Sequence, residues 1–228
     1  RYPLVTGVQT CALPISSKNP HVNGNTFHGS LFLLFPMKKI ILASGSPRRK
    51  MLLEWAEIDF QVMVSDVDET FNLELSPTAI AMSIAERKNK AIQERLEDLF
   101  EDKILIAADT IVVLEGQIIG KPSDRDNAIE ILKRLSGNTH QVITAVDMRS
   151  MNHTECFYDT TFVRFHTIEL SDIIHYVDQY KPFDKAGAYA IQEWIGVIGI
   201  DSIQGDFYNV MGLPISKVVN KLKTTFLK

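Results

Sequence analysis

The chain has 228 residues, 45% hydrophobic and 23% charged, with a formal net charge of −4 and a mean hydropathy close to zero. This is the composition of an ordinary globular protein long enough to bury a sizeable core, and its acidic balance excludes a protein that binds nucleic acid with its whole surface, so any anion site must be a local cluster. No apolar run approaches the roughly 20 residues of a membrane span, and Cys11 and Cys156 have neither metal-ligand spacing nor a disulfide framework, which points to a reducing cytoplasm.

Residues 1–36 are rich in Pro, Asn, Ser, Gly and His and sustain no period of 2 or 3.6. The string VTGVQTCALPIS (5–16) reads as translated sequencing adapter, so residues 1–16 are expected to be foreign to the protein and 17–36 to be upstream translation or a disordered leader. The working domain is expected to span 37–228, starting at Met37. From there, 38–43 reads as a buried strand and 47–57 as a helix opened by Pro47, whose missing N–H costs nothing at a first helical position. Residues 60–64 read as a short strand that runs into the acidic SDVDE. Ser76 as cap and Pro77 as first residue open a long helix to about Phe100, with Ile80, Ile84, Ile92, Leu96 and Leu99 at helical spacing and Lys88 inside the same series.

An apolar strand, 103–108, is expected to end at Asp109-Thr110. Residues 111–114 and 118–119 read as a hairpin turning through Glu115-Gly116-Gln117 and ending in GKP. Ser123 or Asp124 caps a helix that Gly137 terminates. Two long alternating strands follow, 141–148 and 155–165, joined near Asn152; then a helix, 170–180; a loop rich in Lys, Gly and Ala, 181–191; a strand, 194–200; and an amphipathic helix from Pro214. Strands interleaved with helices, but with hairpins among them, predict an α/β fold with a mixed sheet.

Five stretches carry polar residues in patterns suited to chemistry. In SGSPRR (44–49), Arg48 and Arg49 fall in the first turn of a helix, where the backbone's partial positive charge disfavours each cation by about 0.3–1 kcal/mol. A capped helix start with two solvated arginines is one account. The other is an anion pocket, in which free N–H groups, the hydroxyls of Ser44 and Ser46 and the guanidiniums converge on a phosphate chain. Neither a P-loop nor a G-x-G-x-x-G is present. In AADT (107–110), Asp109 is either a turn residue or a carboxylate held at a sheet edge as base or metal ligand, and Asp68 and Glu69 offer a second acidic pair. Lys121 of GKP and Lys88 are surface or snorkelling lysines, or phosphate ligands. DKAGAYAIQ (184–192) is a tight turn, or a close backbone approach to a ligand with Gln192 reading a base edge. GDFYNVMGLPI (205–215) reads as structural. The histidines, His140, His153, His166 and His175 among them, form no metal cluster. Cationic phosphate grips with carboxylates favour metal-assisted cleavage of a phosphoanhydride over acyl transfer.

In order, LASGSPRR, VDET, AERKNKA, AADTIVV, GKP, LSGNTHQVITAV, DKAGAYAIQ and YNVMGLP resemble the Maf family of nucleoside triphosphate pyrophosphatases across 37–228. The resemblance implies an α/β fold with a mixed central sheet, flanking helices and two lobes around a cleft, similar to inosine triphosphate pyrophosphatases. It implies hydrolysis of a nucleoside triphosphate to monophosphate and pyrophosphate with Mg²⁺ or Mn²⁺, in the cytoplasm, by a homodimer that binds no nucleic acid stably. By the same resemblance Asp109 matches the catalytic base, and Arg48, Thr110 and Gln192 match positions of base choice in the dTTP/UTP branch. Ser44, Arg49, Glu69, Lys88 and Lys121 match the family's polar cleft residues. In the mechanism expected from the residues and the resemblance together, Ser44, Ser46, Arg49, Lys88 and Lys121 contact phosphate and Glu69, with Asp109, holds the metal. SPRR without an intervening tryptophan, ADT and IQ side with the dTTP/UTP branch rather than the 7-methyl-GTP branch. The role implied is removal of non-standard or excess pyrimidine nucleotides. The same chemistry on a modified or purine triphosphate, and a nucleotide-binding regulator of septum formation, remain the alternatives. Ala190 and Asn89 stand where the family more often has glycine and alanine.

Overall fold

Apolar residues and their spacing account for most of the elements. The computed structural model describes residues 38–70 and 74–227, which lie in a unit running from Phe35 to Lys228. Residues 1–36, with Cys11, and Met37 lie outside the described residues. The elements are β1 (Lys39–Leu42), α1 (Pro47–Trp55), β2 (Phe60–Val62), α2 (Pro77–Leu96), β3 (Lys103–Leu114), β4 (Gln117–Ile119), α3 (Arg125–Leu135), β5 (Thr139–Ser150), β6 (His153–Phe165), α4 (Leu170–Tyr180), α5 (Trp194–Gly199), β7 (Ile200–Gln204), α6 (Phe207–Met211) and α7 (Ile215–Lys221). A 3₁₀ turn, Glu97–Phe100, ends α2, and a π turn, Leu222–Phe226, follows α7. The caps are those the sequence offers: Ser76 accepts from the Ala79 N–H with Pro77 next to it, and Asp124 accepts from the Asn127 N–H.

The strands form one sheet in the order β2-β1-β3-β5-β6-β7, with β4 also on β3. β1 pairs parallel with β2 and β3; the other pairings are antiparallel. α2 covers one face over Ile41, Leu105, Ala107, Ile111, Val113 and Ile143. The larger core lies on the other face, where Ile40, Leu42, Ile104, Ile106 and Ala108 meet residues of α1, α3, α4 and α7. The two faces follow the two-residue alternation of the strands. α2 buries Ile80, Ile84, Ile92 and Leu96 as its period demands, while Leu99, in the 3₁₀ turn, is 69% exposed.

Three expectations change. The strand at 103–108 does not end at Asp109. It continues to Leu114 as one 12-residue strand, so Asp109 and Thr110 sit mid-strand and the hairpin at Gly116 is its far end. The continuity comes from β5, which pairs with β3 from Leu105 to Val113 and holds it extended. Residues 194–199 are helix rather than strand, and the strand is Ile200–Gln204. A short apolar run does not distinguish the two, and here packing decides: Ile195 and Gly199, one helical turn apart, are buried, and a Cβ on Gly196 would come within 1.9 Å of the Ile191 carbonyl oxygen. The segment before Pro214 holds a short helix, α6, that its sequence did not announce.

His140 on β5 is 1% exposed, packs its ring near Phe165 and Tyr189, and is 2.7 Å from the Tyr189 hydroxyl through Nε2. Burial pushes its pKa down to about 4. As pH falls below about 6.5, the unfolded chain takes up this proton before the folded one. Stability from His140 is therefore full above about pH 6.5 and is lost progressively towards pH 4. Urea unfolding at pH 7.0 and 4.5 should show a loss in the unaltered chain about 2–3 kcal/mol larger than in His140→Gln; equal losses would contradict the assignment.

Candidate active site

The pairing of β3 creates the site. β5 occupies one edge of β3 along Leu105–Val113, so β1 and β4 share the other edge. β1 takes Lys103–Ile106 and β4 takes Val112–Leu114. Between them, residues 107–111 have no strand partner on that side among the described residues. The sheet has a notch there. Neighbouring strand residues point to opposite faces, so Asp109 faces α2 and Thr110 faces α1 and α6, and the notch lets both reach one cavity. That cavity has a volume of about 370 Å³, the size of a small-molecule site. Ser44, Ser46, Arg48, Arg49, Glu69, Lys88, Asp109, Thr110, Lys121 and Gln192 all line it.

On the α2 side, Lys88 shares the buried face of the helix, but its side chain, 11% exposed, does not snorkel outwards. Its Nζ lies 2.8 Å from Asp109 Oδ1 and 2.8 Å from Glu69 Oε1. Lys121, at the end of the β4 turn, is 3.4 Å from Glu69 Oε2. Burial pushes the Glu69 carboxyl up, but Lys88 and Lys121 outweigh it and hold the group below its ordinary value. Asp68 turns away from this cluster: its carboxylate accepts from the N–H and hydroxyl of Thr70.

The two arginines of α1 diverge. Arg49 folds inward and is 9% exposed. Its Nε donates to the Gly212 carbonyl (2.8 Å), Nη1 to Ser44 Oγ (3.0 Å) and Nη2 to Thr110 Oγ1 (3.1 Å). All three partners are neutral oxygens, and no carboxylate among the described residues pairs with Arg49. Burial pushes its pKa down, opposed by the more distant charge of Asp109. A buried cation held only by dipoles is costly, and an anion in the adjacent cavity would relieve it. Thr110 Oγ1 is also 2.9 Å from Thr144 Oγ1. Arg48 instead spans the cavity mouth to Asp184 Oδ2, 3.3 Å away. Ser46 at the N-cap makes no side-chain cap bond, so its hydroxyl does not occupy the first-turn N–H groups that attract anions.

The far wall is the 184–192 segment with α6. Gly187 has φ 72°, and a Cβ there would lie 3.0 Å from Val112; its N–H donates to the Gly120 carbonyl (3.1 Å), which ties the segment to the turn bearing Lys121. Val112, Val142, Tyr189 and Met211 make this end apolar. Lys185 and Tyr189 lie inside DKAGAYAIQ, where the sequence marks only Gln192 and the small residues, and Met211 and Gly212 come from the stretch that reads as structural. The only signal for them was proximity in the chain to Gly and Ala. The lining carries five cationic side chains, with Lys185, against three acidic ones, Glu69, Asp109 and Asp184. It is net positive inside a chain of charge −4, so an anion is the complementary ligand.

The carboxylates of Glu69 and Asp109 flank the Lys88 ammonium. Hard oxygen donors this close together suit a Mg²⁺-type ion that takes its remaining ligands from water and substrate phosphate. Glu86, Asp147 and Cys156 also bring ligand atoms within 4.8 Å of one another, but away from the cavity, and Asp147 already accepts from Arg149 Nε (2.5 Å) and Asn89 Nδ2 (2.8 Å).

The fold and this cavity define an α/β protein with a net-positive cavity beside paired carboxylates at a break in its sheet edge. The chain belongs to the Maf-like protein family, whose model matches residues 39–225. It is similar to proteins named dTTP/UTP pyrophosphatase: 49% identical to one from Bacillus cereus (82% of this chain, 95% of the relative), 46% to one from Cytophaga hutchinsonii (82% and 84%) and 46% to one from Bacteroides fragilis (81% and 95%).

The two arginines should separate in stability. Arg49→Met removes three buried hydrogen bonds, to the Gly212 carbonyl and the Ser44 and Thr110 hydroxyls, and should destabilise the protein by about 2–3 kcal/mol. Arg48→Met loses a half-exposed ion pair and should cost under about 1 kcal/mol. Urea unfolding of the two variants tests this, and equal costs would contradict the division of roles.

Proposed function

We propose that this chain hydrolyses dTTP and UTP to the monophosphate and pyrophosphate. The observation that carries the reading is the cavity itself: a net-positive notch with Lys88 between two carboxylates, in a chain 44–49% identical to relatives named for that activity. In this reading the triphosphate lies along the wall formed by the α1 start, Lys88 and Lys121, and the base lies at the apolar end near Thr110, Tyr189 and Gln192. Lys88 holds Asp109 Oδ1, so Oδ2 is the oxygen presented to a water molecule. Asp109 orients that water and accepts its proton as the water oxygen attacks the α-phosphorus. The bond from the α-phosphorus to the bridging oxygen breaks, and pyrophosphate leaves with both electrons of that bond. Lys88 and Lys121 stabilise charge as it gathers on the departing group. Glu69 and Asp109 would hold Mg²⁺ or Mn²⁺, which when bound neutralises phosphate oxygens. The protein so read works in the cytoplasm, as a homodimer, removing excess or non-standard pyrimidine nucleotides. No helix among the described residues is long and apolar enough to cross a membrane.

Pyrophosphate release from a panel of nucleoside triphosphates with Mg²⁺ should be fastest with dTTP and UTP, abolished by chelation and restored by Mg²⁺ or Mn²⁺. Release from none of them would overturn the reading and favour a binding role. Asp109→Asn should lower kcat by about 10²–10⁴-fold with an unchanged circular dichroism spectrum; near-normal turnover would remove Asp109 from the chemistry.

A further inference from the structure

The division between the two arginines leaves a question: what keeps Arg48 off the phosphate wall? It sits in the first turn of α1 beside Ser46, and a triphosphate along that wall would attract its guanidinium whatever base the nucleotide carried. Such a contact would be uniform, strengthening every nucleotide and the pyrophosphate product alike, and would add nothing to discrimination.

The opposing wall supplies an answer. Asp184 divides its two oxygens: Oδ2 faces Arg48 Nη1 at 3.3 Å and Oδ1 faces Lys185 Nζ at 2.7 Å. Lys185, 8% exposed, lies 3.6 Å from Glu193 Oε1. The other oxygen of Glu193 accepts from the hydroxyl of Tyr176, a fully buried residue of α4. That hydroxyl in turn accepts the Ala190 N–H at 3.3 Å. Asp184 is thus the outer end of a bracket anchored in the core, and the same bracket flanks Gln192 on both sides, at Ala190 and Glu193. Burial pushes the Asp184 carboxyl up, but Lys185 and Arg48 outweigh it and keep the group below its ordinary value, so the bracket end carries its charge at neutral pH.

We propose that Asp184 is a specificity-determining residue of this site: it draws Arg48 across the cavity towards the Gln192 end, so that Arg48 serves nucleotide choice instead of gripping phosphate. The specificity half of this statement rests on the proposed triphosphate reaction; the diversion of Arg48 from polyphosphate does not. Asp184 is 58% exposed and Arg48 22%, so their tie is weak and its loss frees Arg48 at little cost to the fold.

The test is a cycle of four proteins titrated calorimetrically with inorganic tripolyphosphate: the unaltered chain, Asp184→Asn, Arg48→Met and the double variant. Asp184→Asn should bind tripolyphosphate about 3–5-fold more tightly, and the same change in the Arg48→Met background should move Kd by less than about 2-fold. Asp184→Glu, which keeps the charge, should bind as the unaltered chain does. No tightening, or equal tightening with and without Arg48, would overturn the proposal, the second by showing only a general loss of negative charge. In pyrophosphate-release assays Asp184→Asn should lower the ratio of kcat/KM for dTTP over dCTP by a similar factor, and an unchanged ratio would overturn the specificity role. Failure of the unaltered chain to release pyrophosphate from any triphosphate would overturn the proposed reaction alone, since the tripolyphosphate cycle needs no turnover.

Discussion

The site depends on a stretch of backbone that, among the described residues, pairs on one side only. β3 is held straight by β5, yet on its other edge β1 stops at Ile106 and β4 begins at Val112. A closed ladder across 107–111 would put Asp109 and Thr110 on opposite faces, separated by the sheet. The gap removes the separation without bending the strand. One residue then meets Lys88 from α2 and the next meets Arg49 from α1, and both border a single cavity. Precision comes from the sheet and access from its interruption, which is how side chains from two hydrophobic layers share one ligand.

Four of the five cations around that gap lie within ion-pair distance of a carboxylate: Arg48 and Lys185 of Asp184, Lys88 of Glu69 and Asp109, and Lys121 of Glu69. The fifth is held differently. Arg49 is buried against a carbonyl and two hydroxyls, which satisfy its hydrogen bonds but not its charge. Arg48 leans on a half-exposed aspartate that gives little in high dielectric. The cavity therefore carries a standing positive potential in an acidic protein. The two arginines at the positive end of a helix are tolerated because each finds its partners elsewhere: one in the Gly212 turn, the other in Asp184, the outer end of the bracket that runs through Lys185 and Glu193 to Tyr176.

Most of the fold was legible because its signals are local. Ser76-Pro77, the helical spacing through Leu96, the apolar run of β1 and the turn at Gly116 each act within a few residues, and each appears where expected. The failures share a cause. Trp194–Gly199 is as apolar as a strand, and only the close approach of Gly196 to Ile191 and the burial of Ile195 and Gly199 make it a helix. Asp109 looked like a strand end because the apolar run stops there, but β5 carries the strand past it. Met211 and Gly212 lie in a stretch that reads as structural, and they join the cavity because the Gly212 carbonyl receives Arg49, 163 positions earlier in the chain.

By itself the sequence determined the inventory: an α/β chain with a mixed sheet, the caps that start its helices, and the arginines, lysines and carboxylates from which an anion site can be built. Side-chain periodicity and turn chemistry are properties of neighbouring residues, so they are written in order along the chain. Only the tertiary structure decided how that inventory is used. Strand register set which edge of β3 stays open, α2 packing turned Lys88 inward onto Asp109, and contacts across more than a hundred residues sent Arg48 and Arg49 in different directions. Two adjacent residues of one type have the same local preferences, and what separates them is the partner that the fold brings to each.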